Sequence, residues 1–568
     1  MAGTPCWRAI VDALNTENIK YVFGIPSDGI HLYKDLADTP QIRPILVRHE
    51  TSAVMMSIGY SRITNEPAVC YASPGPGVAN LVPGLLEAYS ACSPVIALGS
   101  ATKIQNDQRG GFQENDQVEM MRPITKWTYR ITQAEKTNWA MNRAFTIATN
   151  GRPGPIYIDV PKDVGFQNAE NNLYRKAMTY ARVAPDPSKI NEVLNLLGRS
   201  SAPILVAGGG VILSQAFKEL TDFAELVGTP VFTTLSGRGS IPEEHPLAMG
   251  LVGLYRTRVN EKVFDATDLM INLGSRNEEF QSGEWKLYPS NAKLVQVDIE
   301  PTEFGRNWTP TVAVMGDIKL TLQMLIQKVM QEAQKKYTDL SRIKEIIKLK
   351  SEYEKEIEEE CRPEGSKVRT KQVVRELNKV FGHNTILANE NGGQDLWSYY
   401  CPYYKVLDIN SCVPPAEQTC MGFGVTAAIG AKLAAPSKNV ICTTGDGAFQ
   451  MFMKEIATSV QYKAPVTWTV FNNFSLHWVK YIQRAMGVKE ISVDFTCNPD
   501  FTKIAEAYKC YGIRVERPSE IHPALEAALK SNQEGIPAIL DFVIDTWDYP
   551  EGFVKFHEKV WNIPPIKA

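Results

Sequence analysis

The segment VICTTGDGAFQMFMKEIATSVQYKAPVTWTVFNN, residues 440–473, decides the fold. It opens with an apolar run of strand character, VICTT, and breaks at Gly445-Asp446-Gly447. A helix-length stretch follows, then a second apolar run, PVTWTVFNN, ending in Asn472-Asn473. Strand, helix and strand of these lengths form the repeating unit of a parallel sheet. Such a unit brings two loop ends together at the carboxyl edge of the sheet, where α/β folds bind ligands. Gly445 and Gly447 let the backbone approach a phosphate, and a helix starting near Phe449 directs its free N–H groups toward it. Asp446 offers an anionic oxygen and Asn473 a neutral one. Mg²⁺ takes six oxygens, one or two from carboxylates and the rest from phosphates, carbonyls and water. GDG alone reads as a plain turn, and NN alone as a strand end. Together they outline a magnesium–diphosphate site.

The same alternation runs outward in both directions. N-terminal strands are expected at 21–25, 44–49, 68–73, 94–100 and 156–160, and a middle set at 203–209, 230–235, 269–275 and 294–300. A last set falls at 385–393, 405–410, 439–447, 465–473, 513–518 and 538–545. The fold class is therefore α/β, with three doubly wound parallel-sheet domains over residues 1–180, 189–345 and 366–555. The polar segment 161–188 reads as a linker. The charged run SRIKEIIKLKSEYEKEIEEE (341–360) reads as a solvated helix with i,i+4 ion pairs.

Composition bounds the function. The chain has 568 residues, 44% hydrophobic and 22% charged, with a net charge of -3. That balance points away from nucleic acid and from a polybasic membrane contact. No run approaches the ~18 apolar residues of a membrane-spanning helix. The N-terminus lacks a basic region followed by an apolar one, so no leader is expected. Ten cysteines show no C-x-x-C pair. Several sit in apolar runs, which suits reduced thiols in the cytoplasm better than disulfides or zinc.

GDG, a helix and an apolar strand ending in NN resemble the thiamine diphosphate motif. FGIPSDGI (23–30), VRHETSAVMMSIGYSR (47–62), SPGPGVANLV (73–82), GGFQENDQVEMMRPITKW (110–127), LVAGGGV (205–211), VDIEPTEFGR (297–306) and CMGFGVTAAIGAKLA (420–434) extend the likeness over nearly the whole chain. The chain resembles the group containing acetohydroxyacid (acetolactate) synthase, glyoxylate carboligase and pyruvate oxidase. The resemblance implies that Glu50 hydrogen-bonds the aminopyrimidine of thiamine diphosphate and promotes loss of the thiazolium C2 proton. Read alone, Glu50 is a helix-start glutamate favoured by the macrodipole. Met421 matches the apolar wedge under the cofactor, with backbone around Thr419 and Met421 at the aminopyrimidine. Asp446, Asn473 and the Ser475 carbonyl are implied as Mg²⁺ ligands. Gly445, Gly447 and Ala448, with Gly392 or Gly393, are implied at the diphosphate. Gln113 matches a substrate-facing glutamine, or is a buried amide.

The sequence also departs from the pattern. Trp478 stands closer to the metal asparagine than the tryptophan that selects the second 2-oxo acid in acetohydroxyacid synthases. Asp28 either relays protons or caps the next helix. His477 either lines the pocket or bonds the scaffold. In relatives the middle domain holds FAD, an ADP group or nothing, and the turns GGGV and GSR leave this open. The implied activity is thiamine diphosphate- and Mg²⁺-dependent cleavage or formation of C–C bonds on a 2-oxo acid or related small carbonyl substrate, by a carboligase or lyase. A 2-oxo acid decarboxylase, a flavin-dependent oxidoreductase resembling pyruvate oxidase and a non-catalytic cofactor-binding protein are the alternatives. The resemblance further implies a homodimer or homotetramer with active sites shared between chains.

Overall fold

The computed structural model describes residues 3–26, 30–169, 173–331 and 340–566; Asp28 lies outside them. Three six-stranded parallel sheets carry the fold. The N-terminal sheet comprises β1 (Tyr21–Gly24), β2 (Arg43–Leu46), β3 (Ala68–Ala72), β4 (Val95–Ala101), β5 (Trp127–Arg130) and β6 (Ile156–Pro161). The middle sheet comprises β7 (Pro203–Ala207), β8 (Val231–Thr233), β9 (Ala248–Leu251), β10 (Leu269–Leu273), β11 (Lys293–Asp298) and β12 (Val312–Met315). The C-terminal sheet comprises β13 (Thr385–Asn389), β14 (Cys412–Val413), β15 (Asn439–Gly445), β16 (Thr467–Asn472), β17 (Tyr511–Val515) and β18 (Ala538–Val543).

The strand orders are informative. The N-terminal sheet runs β2-β1-β3-β4-β6-β5 and the C-terminal sheet β14-β13-β15-β16-β18-β17, so both share one topology. The middle sheet runs β9-β8-β7-β10-β11-β12. Counted from its own first strand this is 3-2-1-4-5-6, the order of dinucleotide-binding sheets. Interior strands such as β4, β10, β13 and β16 are buried along their whole length, as a sheet covered on both faces requires.

Several expectations need correction. No strand forms over residues 405–410. The Lys405 N–H donates to Asn378 Oδ1 (2.6 Å) and the Val406 N–H to Glu243 Oε2 (2.6 Å), so side chains replace a ladder there. The helix after GDG begins at Asp446, not near Phe449. The helix Leu340–Glu360 is not a free solvated rod. Ile346, Tyr353 and Ile357 are buried. Its acids Glu354 and Glu358 pair with Arg375 at 2.5 and 2.8 Å, and Lys350 Nζ donates to the carbonyls of His245 (2.9 Å) and Pro246 (3.1 Å). Within this helix, Lys348–Glu352 at 3.8 Å is an i,i+4 ion pair of the expected kind.

The chain divides into two compact units. The first holds the chain up to Ala181 with Gln418–Ser437 and Met451–Pro465. The second holds Arg182–Glu417, Lys438–Gln450 and the chain from Val466 onward. Within the second, buried Arg238 makes a two-pronged pair with Glu243 (2.9 Å to each oxygen) and donates to Ser398 O (2.7 Å). None of the ten cysteines forms a disulfide, and seven are buried. Among the described residues no helix is long and apolar enough to cross a membrane.

Candidate active site

In the second unit, β15 and β16 are paired with Gly445 opposite Phe471, so their carboxyl ends finish side by side. Asp446 is buried at that corner. Its Oδ1 accepts from the Gly447 N–H (3.0 Å) and its Oδ2 from Asn498 Nδ2 (2.7 Å). Burial pushes the Asp446 carboxyl up to about 7, against these bonds and one from the Phe474 N–H. A buried carboxyl whose ionisation is opposed by desolvation is the environment that a divalent ion relieves. Asn498 Nδ2 also donates to Asn472 Oδ1 (2.9 Å), and Asn472 Nδ2 to buried Asp541 (2.9 Å). Of the Asn pair, then, Asn472 is scaffold. Asn473 is half-buried, and its Oδ1 accepts from the Ser475 N–H (3.2 Å).

The Asn473–Ser475 turn is strained in the way functional turns often are. Phe474 adopts φ 56°, in the left-handed region. Among the described residues no group of three or more His, Cys, Asp or Glu has metal-binding geometry. The donor set fits Mg²⁺ completed by phosphate oxygens rather than zinc.

Asp395 is a residue that the sequence reading missed. It is fully buried after the NENGG turn. Its Oδ2 accepts from the Gly392 N–H (3.0 Å), and the Gly445 N–H also bonds this carboxyl. Asp395 thus ties together the two glycine turns implied at the diphosphate. Its Oδ1 has no partner, and burial pushes the carboxyl up to about 7. The one available signal was an acid two residues after paired glycines. His477 is buried, with Nδ1 3.0 Å from Ser475 Oγ, its ring stacked on Tyr549 and Nε2 without a partner. Burial pushes it down to about 4, so the ring is neutral. Trp478 donates from Nε1 to His557 Nε2 (3.0 Å) and packs on Phe553, which makes it part of an aromatic core.

The first unit assembles the other nominated residues. Glu50 opens the helix Glu50–Thr64 directly beyond β2, capped by His49. It is 9% exposed, and its Oε2 accepts from Asn80 Nδ2 (3.0 Å). Gly77 leaves room beside it, since a Cβ there would stand 3.3 Å from Glu50 Oε1. Gly75, at φ 64°, packs on the Gln113 backbone, so Gln113 shares the turn that lines Glu50. Phe112 beside it is 81% exposed. Thr419 adopts φ 46°, the sole β-branched left-handed residue among those described, and Met421 is 42% exposed. Gly422 follows at φ 86°, where a Cβ would overlap the Phe452 ring.

With these parts in place, comparison with known proteins defines the class. Three segments match thiamine pyrophosphate enzyme domains: the N-terminal TPP binding domain over residues 6–120, the central domain over 190–325 and the C-terminal TPP binding domain over 394–542. The chain belongs to the thiamine pyrophosphate enzyme family. It is 35% identical over 548 residues to the "Probable acetolactate synthase large subunit" of Methanocaldococcus jannaschii, covering 95% of this chain and 91% of that protein. It is 32% identical over 555 residues to the acetolactate synthase large subunit of Corynebacterium glutamicum, covering 94% and 86%. The chain is thus an acetolactate synthase-like member of the family.

Proposed function

We propose that this enzyme uses thiamine diphosphate and Mg²⁺ to cleave a 2-oxo acid and join the resulting fragment to a second carbonyl compound, as an acetolactate synthase-like carboligase. The observation that carries this is the corner where buried Asp446 and the Asn473–Ser475 turn meet two glycine turns tied by Asp395. Asp446, Asn473 and the Ser475 carbonyl would hold the metal. Gly445, Gly447, Ala448 and Gly392 or Gly393 would hold the diphosphate, and Asp395 would fix the spacing of their turns. When bound, the cofactor supplies a carbon nucleophile and an electron sink.

The chain's own residues have distinct tasks in this reading. Glu50 holds a proton-exchanging hydrogen bond to the aminopyrimidine, and Asn80 orients its carboxyl. Thr419 and Met421 shape the opposite wall. Gln113 and neutral His477 face the substrate. The active unit is a homodimer or homotetramer whose sites are shared between chains. Seven buried cysteines without disulfides suit a reducing compartment, and we place the enzyme in the cytoplasm.

The test is a panel of 2-oxo acids, singly and in pairs with second carbonyl acceptors, incubated with enzyme, thiamine diphosphate and Mg²⁺. Products are identified by mass spectrometry. Carbon dioxide with a hydroxy-keto acid product is expected. Release of free aldehyde alone would replace ligation by decarboxylation, and no consumption of any acid would overturn the reading.

A further inference from the structure

The family resemblance leaves the middle domain open to FAD, and its 3-2-1-4-5-6 strand order is that of a dinucleotide-binding sheet. In such a sheet the ligand crosses the carboxyl edge at the switch point, here between β7 and β10. The residues at that edge do not fit a flavin dinucleotide.

Consider first the glycines. Gly208 and Gly210 follow β7, and Gly274 follows β10. A Cβ on Gly208 would lie 2.2 Å from Gly274 O, and one on Gly210 would lie 2.7 Å from Gly274 Cα. Gly210 donates its N–H to Gly274 O (3.0 Å). These glycines are required by the contact of one turn with the other. No phosphate is needed to explain them.

The size and charge of the neighbouring cleft point the same way. The cleft beyond these turns is lined by Leu235, Ser236, Tyr255, Glu278, Phe280 and Glu417. It offers about 10 Å³, which is room for a single water molecule. Two carboxylates occupy it. Glu278 is paired with Arg276 (2.7 Å), and Glu417 Oε1 accepts from the Phe280 N–H (2.8 Å), stitching the chain near 417 across to the 278–282 turn. Burial, reinforced by Glu278, pushes Glu417 up to about 7, and burial raises Glu278 as well. A flavin dinucleotide carries two phosphate charges, and its ring gathers negative charge on reduction. Its phosphates would bring further negative charge beside two half-buried carboxyls whose ionisation is already opposed, and would have to break the Glu417–Phe280 bond.

We propose that Glu417 latches this edge shut, so that the middle domain excludes FAD and the enzyme works without flavin. The inference concerns a different sheet from the thiamine diphosphate reading and stands apart from it.

The experiment is equilibrium dialysis of purified full-length enzyme against FAD, with thiamine diphosphate and Mg²⁺ as a second ligand in the same preparation. Cofactors that copurify are also released by acid and read by flavin fluorescence. The expected result is no copurified flavin, no FAD uptake and full uptake of thiamine diphosphate. Flavin near one per chain, copurified or taken up, would overturn the proposal. Loss of thiamine diphosphate binding alone would strike the proposed function and leave this inference standing. Glu417→Ala removes the latch and one charge, and should tighten FAD binding by at least about tenfold. Glu417→Gln, which keeps an acceptor for the Phe280 N–H, should gain less. If FAD binding is equally absent in wild type and Glu417→Ala, Glu417 is not the barrier.

Discussion

His557 shows how one residue can set the acid sensitivity of the second unit. It is fully buried, donates from Nδ1 to Phe553 O (2.8 Å) and accepts at Nε2 from Trp478 Nε1 (3.0 Å). Both ring nitrogens are committed, which fixes the neutral tautomer. Protonation would set an N–H against the Trp478 N–H, and burial holds the pKa at about 4. Between that value and 6.5 the unfolded chain binds a proton that the native chain does not, so stability rises with pH across this window. Lowering the pH from 7 to 5 should cost about 2 kcal/mol from this ring alone. His557→Gln can still accept from Trp478 but cannot titrate. Urea midpoints at the two pH values should show a smaller difference in the variant; an unchanged difference would remove His557 from the account. Legibility at this scale was uneven. Asp446 and Asn473 could be nominated because the chemistry proposed for them is local to two strand ends. Asp395 and Asn498 could not, because their partners lie 50 and 52 residues away in sequence and only the folded sheet edge brings them together.

At the scale of elements, the strands that escaped the sequence reading share one property. β5, β9, β12 and β14 all lie at sheet edges. Interior strands buried on both faces print a continuous apolar run, whereas an edge strand need not. β12 alternates buried and exposed, and β5 is half-buried throughout. The residue 405–410 run was apolar enough to suggest a strand, but Asn378 and Glu243 take its N–H groups. The shared topology of the N- and C-terminal sheets was also invisible, because strand order is a long-range property that local pattern does not encode. Helix pairing was partly written in glycine. The helices Glu50–Thr64 and Phe423–Ala434 touch so closely that a Cβ on Gly59 would stand 2.1 Å from Ala427 O, and one on Gly430 would stand 1.9 Å from Met56 O. Gly430→Ala sets two effects in opposition. Helix propensity favours alanine by about 1 kcal/mol, while forcing two backbones apart costs about 1–3 kcal/mol. The obstacle is main chain, not a flexible side-chain end, so the overlap should win. A lower urea midpoint is expected, and an unchanged or raised one would show that the pair can separate freely.

At the scale of the whole molecule, the nominated chemistry is divided: Glu50 lies in the first unit and Asp446 in the second. Beyond the Asn473 turn the second unit leaves Phe474, Val479, Met486, Val488 and Ile491 exposed, the last at 63%. Apolar groups gathered along one stretch of surface favour cover by another chain. Shared sites make a prediction that separate sites do not. Glu50→Gln keeps the shape and a hydrogen-bond donor but cannot exchange a proton as the acid does, so it should bind cofactor and lose roughly 10²–10⁴ in turnover. Asp446→Ala removes the carboxylate of the proposed metal corner and should lose Mg²⁺ and diphosphate together. Each variant alone is therefore nearly inactive. Mixed under conditions that allow subunit exchange, a hybrid dimer has one site built from two altered halves and one from two intact halves. Random pairing makes about half of the dimers hybrids with one good site each, so activity should return to about a quarter of wild type. If every chain completes its own site, no hybrid contains an intact pair and no activity returns. Sedimentation before and after mixing shows whether exchange occurred, and restored turnover in exchanged samples is the result that a site confined to one chain could not give.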